Sequence, residues 1–183
     1  LVIMPSASAW KWTTHSQIID KTYNAMPYSI KTHLSLSAMR DGSNDPDEKF
    51  HDTRCHSYPY SINKTNYWLS KGNTYYKMHN YYQASYCFGV ASHYISDTFS
   101  APHCVSGETS YMHTKYETQG GYLKPYLTSA STTGTVNSLL YSGYSGGKSD
   151  WSYWMKTKSS SIVQKDLNKA ASTSYRLIRN NVY

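Results

Sequence analysis

The sequence has little cysteine, little acid and no long apolar run. Its three cysteines, Cys55, Cys87 and Cys104, allow at most one intramolecular disulfide, and the absence of any C-x-x-C argues against a thiolate zinc site or a dithiol redox motif. Nowhere does the chain approach the ~18 consecutive apolar residues of a transmembrane helix. Acids number 11 against 18 Lys and Arg, a formal net charge of +7. Such a surface attracts anions, whether phosphoesters, an anionic membrane face or nucleic acid. No dense Lys/Arg run marks a dedicated basic patch. Alternating Val/Ile/Thr-rich runs bounded by hairpin turns are also missing, which points away from sheet folds.

What is present is tyrosine, 20 in all, with many Ser, Thr and Asn and only 16% charged residues. The 183 residues suit one domain with a real core. Leu1 to Ala9 runs from an apolar Leu1-Val2-Ile3-Met4 through Pro5 to Ala7-Ser8-Ala9. An apolar run closed by small residues in an A-x-A pattern is how an export signal ends. The expected organisation is a residual signal segment over 1–9, cleaved before Trp10, then a catalytic domain over 10–183 that is secreted or extracytoplasmic. In an exported chain one disulfide is compatible with the environment. A Cys55–Cys104 bridge would brace two parts of the site described below, but the other pairings and buried free thiols stay open.

Apolar spacing is helical along most of the chain. Helices are expected from about Thr13 to Met39, broken or kinked at Pro27, from Tyr60 to Asn80, from Tyr82 to Ser100, from Glu108 to Leu127, and from Ser160 to Asn181. Gly- and Pro-rich breaks are expected near Asp41 to Pro46, Gly72-Asn73, Gly120-Gly121 and Gly143 to Gly147. Val163, Leu167, Ala170, Ser174 and Leu177 form a core stripe on the last helix. The fold class is all-α.

Of eight histidines, three fall between His93 and His113, in the pattern His93-x3-Asp97-x5-His103-x9-His113-x3-Glu117. Two of these pairs stand four residues apart on expected helices, so each pair projects from one face. That geometry lets two side chains hold one ion, as the histidines of H-E-x-x-H do. Imidazole and carboxylate without thiolate suit zinc in a catalytic setting, where positions stay open for water and substrate. Upstream, Asp47 and His56 lie in loop-like sequence. Trp10 opens the segment Trp10-Lys11-Trp12-Thr13-Thr14-His15, and a free amine at Trp10 would chelate with its own carbonyl oxygen, His15 adding a third ligand. Asp45 and Asp52 are rivals of Asp47, and His51 is an alternate to His56. His33 and His79 read as surface residues. Trp12 and Tyr58 flank the site and would pack on substrate or on the rim.

Trp10, His15, Asp47, His56, His93, Asp97, His103, His113 and Glu117, in that order, resemble the ligand series of the zinc-dependent phospholipase C and S1/P1 nuclease superfamily. The resemblance spans Trp10 to Glu117. It implies a helical bundle with the zinc cluster at the bottom of a cleft and three Zn2+ ions: one on Trp10 and His15, a second on Asp47, His56 and His93, and a third on His103, His113 and Glu117, with Asp97 bridging the first two. It also implies a metal-activated water attacking phosphorus, for which Asp47 is the candidate proton acceptor. Glu117 resembles the phospholipase branch, where the nucleases usually end in Asp, whereas the short Trp-x4-His spacing is closer to the nucleases. The expected function is therefore phospholipase C-like hydrolysis of phospholipid phosphodiesters, with peripheral contact to a membrane surface. The alternatives are an S1/P1-type single-strand nuclease or 3′-nucleotidase acting on nucleic acid, and a non-catalytic zinc-binding module.

Overall fold

The computed structural model describes residues 10–128 and 134–182. The segment read as the end of an export signal lies outside the described residues. Those described form eight α-helices and one 3-10 turn, with no strand among them: α1 (Trp12–Ala25), α2 (Tyr28–Lys31), α3 (Leu36–Glu48), α4 (Tyr60–Lys77), α5 (Tyr81–Thr98), the 3-10 turn Ala101–Cys104, α6 (Ser110–Gly121), α7 (Val136–Thr157) and α8 (Ser160–Arg179). Within the described residues, no helix is long and apolar enough to cross a membrane.

Local chemistry sets several boundaries. Met26 is extended ahead of Pro27, as the residue before proline tends to be, and α1 ends there. Ser35 then accepts a hydrogen bond from the Ala38 amide and starts α3. The expected Thr13–Met39 helix is thus two helices and the start of a third. Asn80 caps α5 in the same way through Gln83.

α5 is the central helix, buried from Cys87 through Thr98 without interruption. It packs against α3, α4 and α8. Around it the core collects Trp10, Ile18, Met39, Phe88, Trp154 and Leu167. The expected α8 stripe is buried at all five positions.

Three expected breaks are helical instead. Asp41 to Pro46 lies within α3, Gly72-Asn73 within α4, and Gly143 to Gly147 in the middle of α7. The glycines there serve helix contact rather than turning. A Cβ at Gly72 would sit 2.5 Å from the Phe88 ring, one at Gly143 2.7 Å from the Phe99 ring, and one at Gly147 2.3 Å from Cys104 Sγ. Asp47, expected in a loop, accordingly sits on the last turn of α3, next to Pro46, which forgoes one helical hydrogen bond there.

The three cysteines are unbridged, so the Cys55–Cys104 disulfide is absent. Cys104 is buried with Sγ 3.6 Å from the Thr98 and Ser100 carbonyls and aimed at Gly147 of α7, while Cys55 sits half-buried on the loop ahead of His56.

Behind the site, Tyr116 of α6 donates to Asp166 of α8 at 2.5 Å. Burial pushes the Asp166 carboxyl up, the Tyr116 hydrogen bond pulls it back, and nearby Asp150 adds to the rise, leaving it at about 8. Its proton is therefore held by the folded chain and lost by the unfolded one between the ordinary carboxylate range and about pH 8. Stability must fall as pH rises through that window. Asp166→Asn keeps an acceptor for Tyr116 and removes the titration. Urea unfolding at pH 5 and 8.5 should show wild type losing on the order of 3 kcal/mol more than the variant. Equal pH profiles would contradict a buried Asp166 proton.

Candidate metal centre

Nine residues anticipated as ligands come from six places. Trp10 precedes α1 and His15 lies in its first turns; Asp47 ends α3; His56 sits on the loop before α4; His93 and Asp97 share a face of α5. His103 is in the 3-10 turn, and His113 and Glu117 are one turn apart on α6. Folding brings His15, Asp47 and His93 into one group, His56, His93 and Asp97 into a second, and His103, His113 and Glu117 into a third; within each, the ligand atoms lie within 4.8 Å of one another.

Asp97 is at the centre and fully buried. Its Oδ1 is 3.3 Å from His15 Nε2, and its Oδ2 is 2.5 Å from His56 Nδ1 and 3.0 Å from His93 Nε2. The rings of His15 and His93 stack with centroids 4.1 Å apart. Asp47 Oδ1 lies 3.7 Å from Nε2 of both His56 and His93, with a quarter of its side chain open to solvent. In the third group, His113 Nε2 is 2.7 Å from Glu117 Oε1, and the His103 ring is 4.9 Å from that of His113.

Hydrogen bonds outside the groups orient the rings. Ser96 Oγ gives its proton to the His93 carbonyl, so it accepts from His15 Nδ1 at 3.1 Å and leaves the lone pair of His15 on Nε2. His93 Nδ1 donates to the Ser43 carbonyl at 2.7 Å, which exposes its Nε2 in the same way. His56 Nε2 donates to the Asp52 carbonyl, turning Nδ1 inward. Trp10 is fixed beside His15 because its indole donates to the Ser96 carbonyl at 3.0 Å and its ring packs on Tyr116 and Gly120.

The rivals have other work. Asp45 accepts from Tyr86 at 2.7 Å and Lys49 at 3.1 Å. Asp52 accepts from the Arg54 and Cys55 amides and from Tyr94, and pairs with Lys64, so it clasps the loop that carries His56. These hydrogen bonds hold its carboxyl well below the usual range against the effect of burial. His51, His33 and His79 belong to none of the three groups. His33 donates toward Ser29 and stacks on Tyr81, and His79 pairs with the Tyr81 hydroxyl.

Ser96, Ser43 and the Asp52 carbonyl escaped the sequence reading. Ser96 stands between His93 and Asp97 on α5 and carries a local signal. The other two offer only backbone oxygens, which a sequence cannot distinguish.

A polar cleft of about 450 Å3 opens beside His103, lined by Tyr58, Tyr144 and Lys148 among others. A second of similar volume adjoins it through Val105 and Ser106 and carries Met112, Trp151 and Met155.

The family model described as zinc dependent phospholipase C matches residues 14–168. The chain belongs to the zinc-dependent phospholipase C family. Among solved structures it is similar to the alpha toxin of Clostridium absonum, with a TM-score of 0.68 at 16% identity over 97% of this chain and 65% of the toxin. It is also similar to the Clostridium perfringens alpha-toxin from avian strain SWCP, with a TM-score of 0.58 at 14% identity over 98% of this chain and 62% of that one. At such identities the likeness is one of fold, and this chain spans less than two thirds of either toxin. No curated protein matches it in sequence.

Membership of the zinc-dependent phospholipase C family implies zinc, and the site fits it. His15 Nε2, Asp97 Oδ1 and His103 Nε2 are buried without a hydrogen-bond partner. Imidazole lone pairs that face carboxylate oxygens across about 3 Å leave room for a shared cation, and imidazole with carboxylate is a donor set zinc accepts. Burial, with His93 adding to it, lowers His15 to about 3. His103 is lowered to the same value, also chiefly by burial. Both are therefore neutral, the state that binds metal. Burial alone would raise Asp97, but His93, His15 and His56 around it hold it well below the usual carboxylate range.

Proposed function

We propose that this chain hydrolyses the phosphodiester of phospholipids in the manner of a phospholipase C, at three zinc ions. Trp10, through its amine and carbonyl oxygen, and His15 hold the first. Asp47, His56 and His93 hold the second, His103, His113 and Glu117 the third, and Asp97 bridges the first two. The observation that carries this reading is the set of unpartnered ligand atoms around Asp97 and His103, converging beneath a cleft in a chain of this family. The Trp10 amine is freed by cleavage after Ala9, in a protein exported from the cytoplasm.

Zinc bound there supplies Lewis acidity, lowering the pKa of an attacking water and offsetting charge on the phosphoryl oxygens. Asp47 is the proton acceptor: it is the partly exposed carboxylate of the cluster, and Asp45 and Asp52 belong to none of the three ligand groups and are engaged by other donors. Ser96, Ser43 and Asp52 keep three imidazoles in the tautomers that aim lone pairs inward. The net charge of +7 draws the protein to an anionic lipid surface, where it makes peripheral contact.

Zinc-loaded protein should release diacylglycerol from mixed phospholipid vesicles, stop on chelation and recover with zinc. His113→Ala should lower bound zinc by one ion per chain and the rate by ~10²-fold or more. Cleavage of single-stranded DNA without diacylglycerol release would favour the nuclease alternative. Full zinc with neither activity would leave a binding module.

A further inference from the structure

The polar cleft beside His103 has a distinctive charge pattern. Among the described residues no carboxylate lines it; hydroxyls of Ser57, Ser106 and Ser152 do, with two tyrosines and one lysine. Tyr58 stacks on Tyr144 with centroids 5.3 Å apart. Lys148, one turn along α7, places Nζ 4.4 Å from the centre of the Tyr144 ring.

A quaternary ammonium such as choline binds on an aromatic face, commonly with an acid nearby to balance its charge. Here the Tyr144 face is taken by an ammonium of the chain itself, and a second cation would meet like charge with no acid in the lining to offset it. Hydroxyl-rich head groups meet the reverse situation, because Ser57, Ser106, the phenols and Lys148 supply donors to polyol oxygens, and Ser152, which donates to the Lys148 carbonyl, offers an acceptor. The adjoining cleft, where Val105, Met112, Trp151 and Met155 stand beside Glu108, provides apolar surface suited to the diacyl side of the substrate.

We infer that the polar cleft is the head-group site and selects uncharged polyol head groups, such as that of phosphatidylinositol, over choline, with Lys148 as the residue that discriminates. The inference rests on the phospholipid reading above.

The test places phosphatidylinositol and phosphatidylcholine of different acyl chains in the same vesicle, so that attraction of a basic protein to an anionic surface cancels. Diacylglycerol from phosphatidylinositol should form about tenfold faster than from phosphatidylcholine. Lys148 is solvent-exposed on α7, so its replacement leaves the core intact. Lys148→Met should bring the ratio to within about threefold, and Lys148→Glu should invert it. By calorimetry, glycerophosphoinositol should bind wild type more tightly than glycerophosphocholine, with the order reversed in Lys148→Glu. Equal rates from the two lipids in wild type, or one ratio shared by all three proteins, overturns the head-group assignment while leaving lipid hydrolysis standing. Absence of diacylglycerol from either lipid, with single-stranded DNA cleaved, overturns the phospholipid reading and this inference with it.

Discussion

Asp97→Asn is expected to lower hydrolysis by about 10³-fold, the equivalent of about 4 kcal/mol, and to remove at least one zinc per chain. Asp97 lies within 3.3 Å of His15, His56 and His93 together. The amide of asparagine is isosteric but neutral, and one of its two arms is a donor. That NH2 would face either His15 Nε2 or the His56 and His93 pair, and in both orientations it opposes a cation where the carboxylate attracts one. The fold should survive, because the shape is kept and the neighbouring imidazoles remain hydrogen-bonded to Ser96, Ser43 and Asp52. Asp45→Asn is the matched comparison, a buried acid two residues from Ser43 that is already engaged by Tyr86 and Lys49. It should stay within about threefold of wild type, as substitutions away from the chemistry do. Metal content by atomic emission and initial rates on vesicles decide between them. Full zinc in Asp97→Asn, or an equal loss in Asp45→Asn, would show the cluster to be centred elsewhere.

Gly89→Val should cost about 3 kcal/mol or more and take zinc affinity down with it. At the α3–α5 crossing a Cβ on Gly89 would lie 2.1 Å from the Met39 carbonyl oxygen, and one on Gly42 would lie 2.2 Å from that of Tyr86. Each helix rests on the other's backbone, so no flexible side chain can yield and the helices themselves must part. α3 carries Asp47 and the Ser43 carbonyl, and α5 carries His93 and Asp97. Parting them stretches the 3.7 Å approach of Asp47 to His93 and the 2.7 Å bond that orients His93. Gly146→Ala, in contrast, adds a methyl on α7 where only the Lys169 ammonium stands within 4 Å, at 3.6 Å. That variant should gain about 0.5–1 kcal/mol from better helix propensity. Urea unfolding with and without zinc measures both. A Gly89→Val protein as stable as wild type would mean that the crossing is looser than its geometry.

The sequence was informative where chemistry is local. Helical spacing, the break at Pro27 and the buried stripe of α8 depend on neighbours within a few residues, so they can be read in one dimension. The pairs His93/Asp97 and His113/Glu117 were visible for the same reason, since residues four apart share a helical face. Glycine misled because its two uses look alike in sequence: Gly42, Gly143 and Gly147 suggested breaks, yet they allow helices to touch. Whether a glycine turns the chain or admits a neighbour depends on a partner far away, Tyr86, Phe99 or Cys104.

By itself, then, the sequence determined an all-helical chain, its family and a set of candidate ligands in order along it. Tertiary structure alone brought Asp47 Oδ1 to 3.7 Å from His56 and His93 while engaging Asp45 with Tyr86 and Asp52 with Tyr94 and Lys64. It decided that Cys104 points at α7 rather than at Cys55. It also supplied the backbone oxygens of Ser43 and Asp52, whose effect lies only in where they stand. Side-chain chemistry is written in the residue type, whereas the direction of a lone pair is set by a hydrogen bond from a distant part of the chain.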